Sequence, residues 1–354
     1  MDAWKTTVWV VSALPVALTL LPLVRSARWW IRLWDYPRLQ LAFALGVAAT
    51  LQVLWLPRGM GAAALHAVTL GCLAWQLTQI WRYTRLAPVQ VQSAKQHDPA
   101  DAIAIMVANV LQDNRRADAF LARVAEADPD LVLAVETDDW WDAQIMPLQE
   151  RYPHVVRHPL SNTYGMHLFS RLPLVHAKLQ DRVTPGIPSV LARVRLRSGQ
   201  EVDVHCVHPE PPQVGNDVEE RDAELLLVAR EVARDTRPTI VCGDLNDVAW
   251  SFTTRLFQRI SGLLDPRVGR GLYPTFHAEH WFARWPLDHV FHDSSFRVVR
   301  LRRLPYFGSD HFPVLVCLAH DPTAVLKQAA PLPDDDDREE AAEKIAEVCG
   351  PTRP

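Results

Sequence analysis

The sequence is poor in cysteine and contains none of the common nucleophile or nucleotide motifs. Five cysteines occur among 354 residues, and no two of them form a C-x-x-C pair, which argues against a disulfide framework and a zinc site. A G-x-S-x-G elbow and a Walker loop are also absent, which argues against serine hydrolases and P-loop enzymes. The formal net charge is −4, so the bulk composition does not indicate a nucleic-acid-binding protein.

Charged residues are absent from three long windows in the first quarter of the chain, and this absence predicts a membrane region. A helix needs about 20 apolar residues to cross a bilayer, and three such windows lie at residues 6–24, 39–56 and 62–80. We therefore predict three transmembrane helices within residues 1–86. Aromatic side chains that prefer the headgroup layer flank these windows: Trp29, Trp30, Trp34, Tyr36, Trp81 and Tyr83.

The distribution of lysine and arginine predicts the orientation of these helices. If all three windows span, one side of the membrane carries only Lys5 and Arg58. The more positive side is normally cytoplasmic, so the rest of the chain is expected in the cytoplasm; if only two windows span, this conclusion changes. The more positive side carries Arg25, Arg28, Arg32, Arg38, Arg82, Arg85 and Lys95.

The rest of the sequence has the pattern of one α/β domain. Residues 87–100 form a polar linker, and residues 101–320 alternate strand-like and helix-like segments, including a hairpin over 190–197 and 201–207. Such alternation predicts a layered α/β domain. Residues 321–354 are acidic and rich in proline, and we predict a disordered tail there.

Polar side chains follow or precede several of the predicted strands. Side chains at strand ends can face a crevice while the strand bodies stay buried. One such residue alone is more often a turn or capping residue, but a fold has no structural use for so many. Their carboxylates, amides and imidazoles suit phosphoester hydrolysis assisted by Mg²⁺ or Mn²⁺. The set comprises Asn109, Glu136, His208, Asp244, Asn246, Asp288, Asp310 and His311.

The motifs around these residues resemble those of a known superfamily. In chain order they are AIMVANV, LVLAVE, YGMHLFSRLPL, HCVHPEPP, VCGDLND, PLDHVF and GSDHFPVLV. This series is similar to that of the endonuclease/exonuclease/phosphatase superfamily and covers about residues 101–320. The resemblance implies a four-layer α/β sandwich with its active site at one end. Together with three membrane windows, the HPEPP setting resembles a multi-pass subgroup of the bacterial inner membrane.

The resemblance also implies which residues hold the metal ion. Asn109 and Glu136 match the metal-side pair of the superfamily, and Asp310 matches a second metal-side carboxylate. Glu136 is also the hard oxygen ligand that the residue types themselves favour for Mg²⁺.

The remaining positions of the set resemble the catalytic groups. Asp244 and Asn246 match the residues that position the water and the phosphate, and Asp288 matches the carboxylate that orients His311. His208 matches a phosphate-facing histidine that occurs in the deoxyribonuclease-like and sphingomyelinase-like branches.

The substrate is left open by the sequence. Residues 101–320 contain 24 Arg and Lys against 29 Asp and Glu, a net charge of −5, which gives no support to a duplex nuclease. An aromatic segment at residues 277–285 supplies Trp281 and Trp285, which we expect to bind the substrate or a lipid surface, unless they belong to the core. The hypotheses are a nuclease-like phosphodiesterase, a phosphatase or phospholipid-headgroup phosphodiesterase, and a non-catalytic membrane adaptor; no protein partner is inferred.

Overall fold

The structure is a computed structural model and describes residues 3–350. The first four helices precede the α/β domain, four helices lie within it and one follows it. Their bounds are α1 Ala3–Leu20, α2 Trp29–Arg32, α3 Arg38–Trp55, α4 Met60–Trp81, α5 Ala117–Ala127, α6 Asp139–Ile145, α7 Glu219–Arg234, α8 Phe252–Ser261 and α9 Asp335–Cys349.

Two mixed sheets form the centre of the α/β domain. One sheet has the strand order β10-β11-β1-β2-β4-β3, and the other has the order β5-β6-β7-β8-β9. The strands are β1 Ala102–Asn109, β2 Leu131–Val135, β3 His154–His158, β4 Met166–Ser170, β5 Leu174–Asp181, β6 Pro188–Arg195, β7 Glu201–Val207, β8 Thr239–Asp244, β9 Asp288–His292, β10 Phe296–Arg303 and β11 Val314–His320.

The sheets pack face to face, and helices cover their outer faces. The core between the sheets contains Ile105 and Leu133 from the first sheet and Val204 and Ile240 from the second. Helices α5 and α6 cover the first sheet, α7 and α8 cover the second, and α9 packs on α7 and α8. Because both faces of the central strands are covered, their sequences are nearly continuous apolar runs. The prediction of a four-layer α/β sandwich is confirmed.

Three helices in the N-terminal region are long and apolar enough to cross a membrane. They cover Ala3–Leu23, Arg38–Trp55 and Met60–Trp81, with mean hydropathies of 1.8, 1.3 and 1.3. Helix α3 packs against both α1 and α4. A polar contact joins α3 to α4, in which Gln52 Nε2 donates to Thr69 Oγ1 at 2.9 Å. Hydrogen bonds of this kind commonly join helices in an apolar environment.

The prediction of a disordered acidic tail is wrong for most of residues 334–350. Helix α9 begins with a capping box between Asp334 and Asp337. Ala341 and Ile345 are one turn apart and are buried against α7 and α8. Arg259 on α8 also forms two hydrogen bonds with the Asp337 carboxylate at 2.7 Å. The two buried apolar residues lie on one face of the helix, and the acidic composition of the segment gave no sign of that face.

Residues 24–37, between the first apolar helix Ala3–Leu23 and α3, pack on the α/β domain, and we call this segment the connector. Trp29 N–H donates to Asp217 Oδ1 at 2.9 Å, and Trp250 Nε1–H donates to the Asp35 carbonyl at 2.7 Å. Tyr83, just after α4, donates its hydroxyl to the Ala249 carbonyl at 2.6 Å. The end of the first apolar helix, the start of the second and the end of the third therefore all meet the same face of the domain.

Candidate active site

The two sheets present polar residues at a shared edge. Asn109 ends β1 and Glu136 follows β2, and these strands are parallel neighbours. His208 follows β7 and Asp244 ends β8, which are parallel neighbours in the other sheet. The carboxyl ends of both pairs open on one pocket of about 280 Å³. Among the predicted site residues, those that line it are Asn109, Glu136, His208, Asp244, Asn246, Trp285, Asp310 and His311.

The local backbone at two of these residues is unusual. Glu136 and Asn246 have positive φ angles of 63° and 49°, a region that non-glycine residues rarely adopt outside functional sites and turns. Gly243, just before Asp244, has a φ of 147°, and a Cβ there would lie 1.9 Å from the Val207 carbonyl oxygen. Only glycine therefore allows β8 to approach β7 closely enough to place Asp244 beside His208.

His311 forms a buried pair with Asp288. Its Nδ1 lies 2.8 Å from Asp288 Oδ2, and its Nε2 lies 3.5 Å from Asp244 Oδ2 in the pocket. Burial alone would lower the pKa of His311, but the carboxylates of Asp288 and Asp244 outweigh burial and raise it to about 10. Asp288 does not line the pocket and lies behind the imidazole, on the side of Nδ1.

Asn109 connects the two carboxylates that face it. Its Nδ2 donates to Glu136 Oε1 at 2.6 Å and to Asp244 Oδ2 at 3.1 Å, while its Oδ1 accepts from Leu111 N–H at 2.9 Å. Burial raises the pKa of Glu136 to about 7. The amide therefore orients both carboxylates toward the pocket.

His208 follows a strand of the second sheet, whereas Glu136 follows a strand of the first. The His208 imidazole is neutral. It is buried, and burial lowers its pKa to about 4. Its Nδ1 has no hydrogen-bond partner within the part of the chain that the structure describes. The ring of Tyr164 lies 5.4 Å from the His208 ring, centroid to centroid. An imidazole with an unused buried nitrogen can bind a polar group of a ligand.

The residues around the pocket fit a divalent cation. Glu136, Asp244 and Asp310 supply carboxylate oxygens, the hard ligands that Mg²⁺ and Mn²⁺ prefer. Among the described residues, the pocket lining contains neither lysine nor arginine, so His311 is its one strongly basic group. Ligand atoms of Asp244, Asp288 and His311 also lie within 4.8 Å of one another, but the short Asp288–His311 contact already occupies Asp288.

The connector supplies part of the pocket wall, which the sequence analysis missed. Leu33 and Tyr36 line the pocket, and the Tyr36 hydroxyl donates to the Asn246 carbonyl at 2.6 Å. Arg221 on α7 donates to the same carbonyl at 2.8 Å. The Tyr36 side chain is only 6% exposed, because it packs against the domain rather than standing free beside the apolar helix. In the sequence, Tyr36 was explained as an aromatic residue flanking an apolar window, so its place in the pocket wall was not predicted.

The aromatic segment contributes one tryptophan to the pocket and leaves the other outside. Phe276 and Trp285 pair through their backbones, so residues 277–284 form a projecting loop. Trp285 lines the pocket with its ring 5.9 Å from that of Tyr36. Trp281, at the tip of the loop, is 81% exposed and lies outside the lining. Phe276, another lining residue that the sequence analysis did not select, lies 5.0 Å from the His311 ring.

Comparisons with known proteins agree with this architecture. The model of the Endonuclease/Exonuclease/phosphatase family matches residues 106–311. Similar solved structures include D. rerio TDP2 humanized by 14 mutations, with a TM-score of 0.51, 17% identity and coverage of 62% of this chain and 99% of that one. The human Nocturnin catalytic domain with bound sulfate has a TM-score of 0.51 and 18% identity, covering 64% and 96%.

A bacterial structure gives a similar result. An endonuclease/exonuclease/phosphatase from Beutenbergia cavernae has a TM-score of 0.51 and 20% identity, covering 62% of this chain and 72% of that one. A search of curated proteins gives no match. At these identities the structural likeness supports the fold alone.

Proposed function

Because the chain belongs to the endonuclease/exonuclease/phosphatase family, we propose that it is a membrane-anchored, nuclease-like phosphodiesterase that requires a divalent metal ion. The observation that carries this proposal is the pocket itself. It combines the His311–Asp288 pair at 2.8 Å with three carboxylates and, among the described lining residues, neither lysine nor arginine. Such a site binds a phosphate group through a metal ion and an imidazolium rather than through a basic surface.

Glu136 and Asp310 would hold Mg²⁺ or Mn²⁺ through their carboxylates, and Asn109 would support them from behind. Glu136 and Asp310 face the pocket with carboxylate oxygens, and Asn109 keeps Glu136 in place through the 2.6 Å hydrogen bond. When bound, the ion supplies positive charge to the phosphoryl oxygens. Asn109 Oδ1 accepts from Leu111 N–H, so its main contribution is to orient the two carboxylates.

The chemical step is performed by four residues of the pocket, namely Asp244, Asn246, His208 and His311. Asp244 accepts the proton of the attacking water while the water oxygen forms the new bond to phosphorus and the ester bond breaks. The leaving oxygen keeps the electron pair of that bond and takes up a proton from solvent, which releases an alcohol and a phosphate monoester. The backbone N–H of Asn246 donates to Asp244 Oδ1 at 3.0 Å, which fixes the orientation of the carboxylate. His311, protonated at neutral pH, donates its Nε2–H to a phosphoryl oxygen. Neutral His208 contacts a further polar group of the substrate.

A membrane adaptor without activity is the alternative from another class. An adaptor has no need for an intact set of carboxylates, amides and histidines, yet every member of the set except Asp288 lines one pocket, and Asp288 supports His311. The assembled site therefore favours an enzyme.

The proposal is tested by assaying the purified full chain in detergent. Bis-p-nitrophenyl phosphate serves as the diester and p-nitrophenyl phosphate as the monoester, each with Mg²⁺, Mn²⁺ or EDTA. We expect metal-dependent release of nitrophenol from the diester and its loss in EDTA. Preferential hydrolysis of the monoester would favour a phosphatase, and inactivity on both substrates with either metal would favour the adaptor.

The anchoring proposal predicts a cytoplasmic domain. The connector and Tyr83, two residues after α4, contact the same domain, which is the geometry expected when all three apolar helices span. That side carries seven lysine and arginine residues against two on the other. We expect a fluorescent protein fused after Pro354 to fluoresce in a bacterial host and an alkaline phosphatase fusion there to be inactive.

The matched control for orientation is a pair of fusions after Arg58, between α3 and α4. At that position alkaline phosphatase is expected to be active. Active alkaline phosphatase after Pro354 would contradict a cytoplasmic domain and would mean that one of the three helices does not span.

A further inference from the structure

The membrane region is part of the active-site wall rather than a separate tether. Leu33 and Tyr36 of the connector line the same pocket as His311 and Asn246. Tyr36 is fixed there by its hydrogen bond to the Asn246 carbonyl and by its edge-on contact with Trp285. A substrate in the pocket therefore touches residues that belong to the connection between the first two apolar helices.

The distance along the chain places this wall at the depth of lipid headgroups. Tyr36 lies two residues before Arg38, the first residue of the second apolar helix. Two residues of extended chain span at most about 7 Å. The headgroup layer on each side of a bilayer is about 5–7 Å thick. If the helix spans as proposed above, the wall of the pocket lies in or directly beside that layer.

An apolar rim, formed by Leu33, Trp281 and Phe282, lies on this side of the domain. These side chains are 43%, 81% and 60% exposed. The rim is tied to the membrane region, because Gln40 in the first turn of α3 donates to the Phe282 carbonyl at 2.6 Å. Large exposed aromatic side chains are unfavourable in water but are favoured at the interface of a membrane. The rim therefore fits contact with lipid.

The charge of the domain argues against a long polyanion as substrate. Residues 101–320 have a net charge of −5, whereas proteins that track nucleic acid use many basic contacts to successive phosphates. The pocket of about 280 Å³ is near the lower limit of small-molecule sites. Its polar groups are sufficient for one phosphodiester group and a compact headgroup.

We propose that the substrate is a phosphodiester carried by a membrane lipid, which enters the pocket from the leaflet past the rim. The phosphate binds between His208 and His311, and the lipid side of the diester lies against Leu33. The oxygen of a water molecule forms a bond to phosphorus while its proton passes to Asp244, and one phosphorus–oxygen ester bond breaks. The leaving oxygen keeps the electron pair of that bond and takes up a proton from solvent, so that headgroup and lipid separate. This inference rests on the proposed phosphodiesterase activity and names its substrate class.

The test uses the full chain reconstituted in vesicles of phosphatidylethanolamine and phosphatidylglycerol with Mg²⁺ or Mn²⁺. Three rates are measured, namely release of phosphorus-containing headgroup or lipid products from the vesicles, hydrolysis of soluble bis-p-nitrophenyl phosphate, and cleavage of single-stranded DNA. We expect hydrolysis of the vesicle lipid and of the soluble diester, and much slower cleavage of DNA.

A double substitution in the rim separates membrane contact from chemistry. Trp281→Ser with Phe282→Ser should lower the rate on vesicle lipid by about tenfold or more. The variant loses the free energy gained when these two aromatic side chains are buried in the membrane interface. Neither residue lines the pocket, so the rate on the soluble diester should stay within about twofold. The matched control is Leu326→Ser with Leu332→Ser, two leucines 83% and 79% exposed beyond the far end of β11.

The outcomes are distinguishable. If the soluble diester is hydrolysed but vesicle lipid is not, or if DNA is the faster substrate, the lipid proposal is wrong while the phosphodiesterase proposal stands. Equal loss on lipid and soluble diester in the rim variant would also overturn the lipid proposal. If no diester is hydrolysed with either metal, the proposed activity itself fails.

Discussion

Replacing His311 with alanine is expected to lower the turnover of the soluble diester by about 10²–10³-fold, the usual loss when one donor to a developing negative charge is removed. The imidazole lies 2.8 Å from Asp288 and 3.5 Å from Asp244, and the carboxylates keep it charged by raising its pKa to about 10. Without His311, no imidazolium donates a hydrogen bond to the phosphoryl oxygen as negative charge develops on it. Turnover at saturating metal and substrate is the measurement.

The role of Asp288 is tested through a double-mutant cycle. Asp288→Asn should lower turnover because it removes the carboxylate that orients and charges His311, yet in the His311→Ala background it should cost little more. The control is His320→Ala at the far end of β11, which should retain normal turnover. Losses that multiply in the double mutant would show that the two residues act independently.

Replacing Glu136 with glutamine is expected to weaken the binding of Mg²⁺ or Mn²⁺ by about tenfold or more, because the ion loses one anionic ligand of a buried site. Glutamine keeps an oxygen that can accept from Asn109, so the fold should be preserved. Metal affinity is measured by titration calorimetry, and turnover is measured against metal concentration. Excess metal should restore part of the activity.

The control for Glu136 lies at the far end of a site-bearing strand. Glu201 begins β7, whereas His208 follows the other end, and Glu201 pairs with Arg195 at 2.9 Å on the surface. Exposed pairs contribute little to stability, so Glu201→Gln should leave metal binding and turnover unchanged. A Glu136→Gln variant that binds metal normally but has lost turnover would show that Glu136 is not the ligand.

Much of the site could be predicted because most of its polar side chains lie at the ends of buried strands. Glu136 and Asp244 follow apolar runs that are unmistakable as buried strands, and parallel neighbours bring their ends to one edge. Asp288 was placed behind His311 by resemblance, since nothing in its local sequence distinguishes a supporting carboxylate from a lining one. The structure places it 2.8 Å from the imidazole and outside the pocket lining.

The rest depended on contacts that local patterns do not encode. Tyr36 meets Asn246 across 210 residues of chain, and its position beside an apolar window predicted a headgroup location. Trp281 is seven residues before Asp288, but the pairing of Phe276 with Trp285 turns the intervening loop outward. In the tail, only Ala341 and Ile345 mark a buried face among many acidic residues.

The packing of the connector has a consequence for biosynthesis. Trp29 and Arg32 contact Asp217 and Thr253, which follow them by 188 and 221 residues. During translation the connector therefore emerges long before the surface that it covers. In a chain whose first helices enter the bilayer as they are made, the domain must fold against a connector that is already held at the membrane. If these helices span the membrane as proposed, the pocket is completed only after insertion, when Tyr36 meets Asn246.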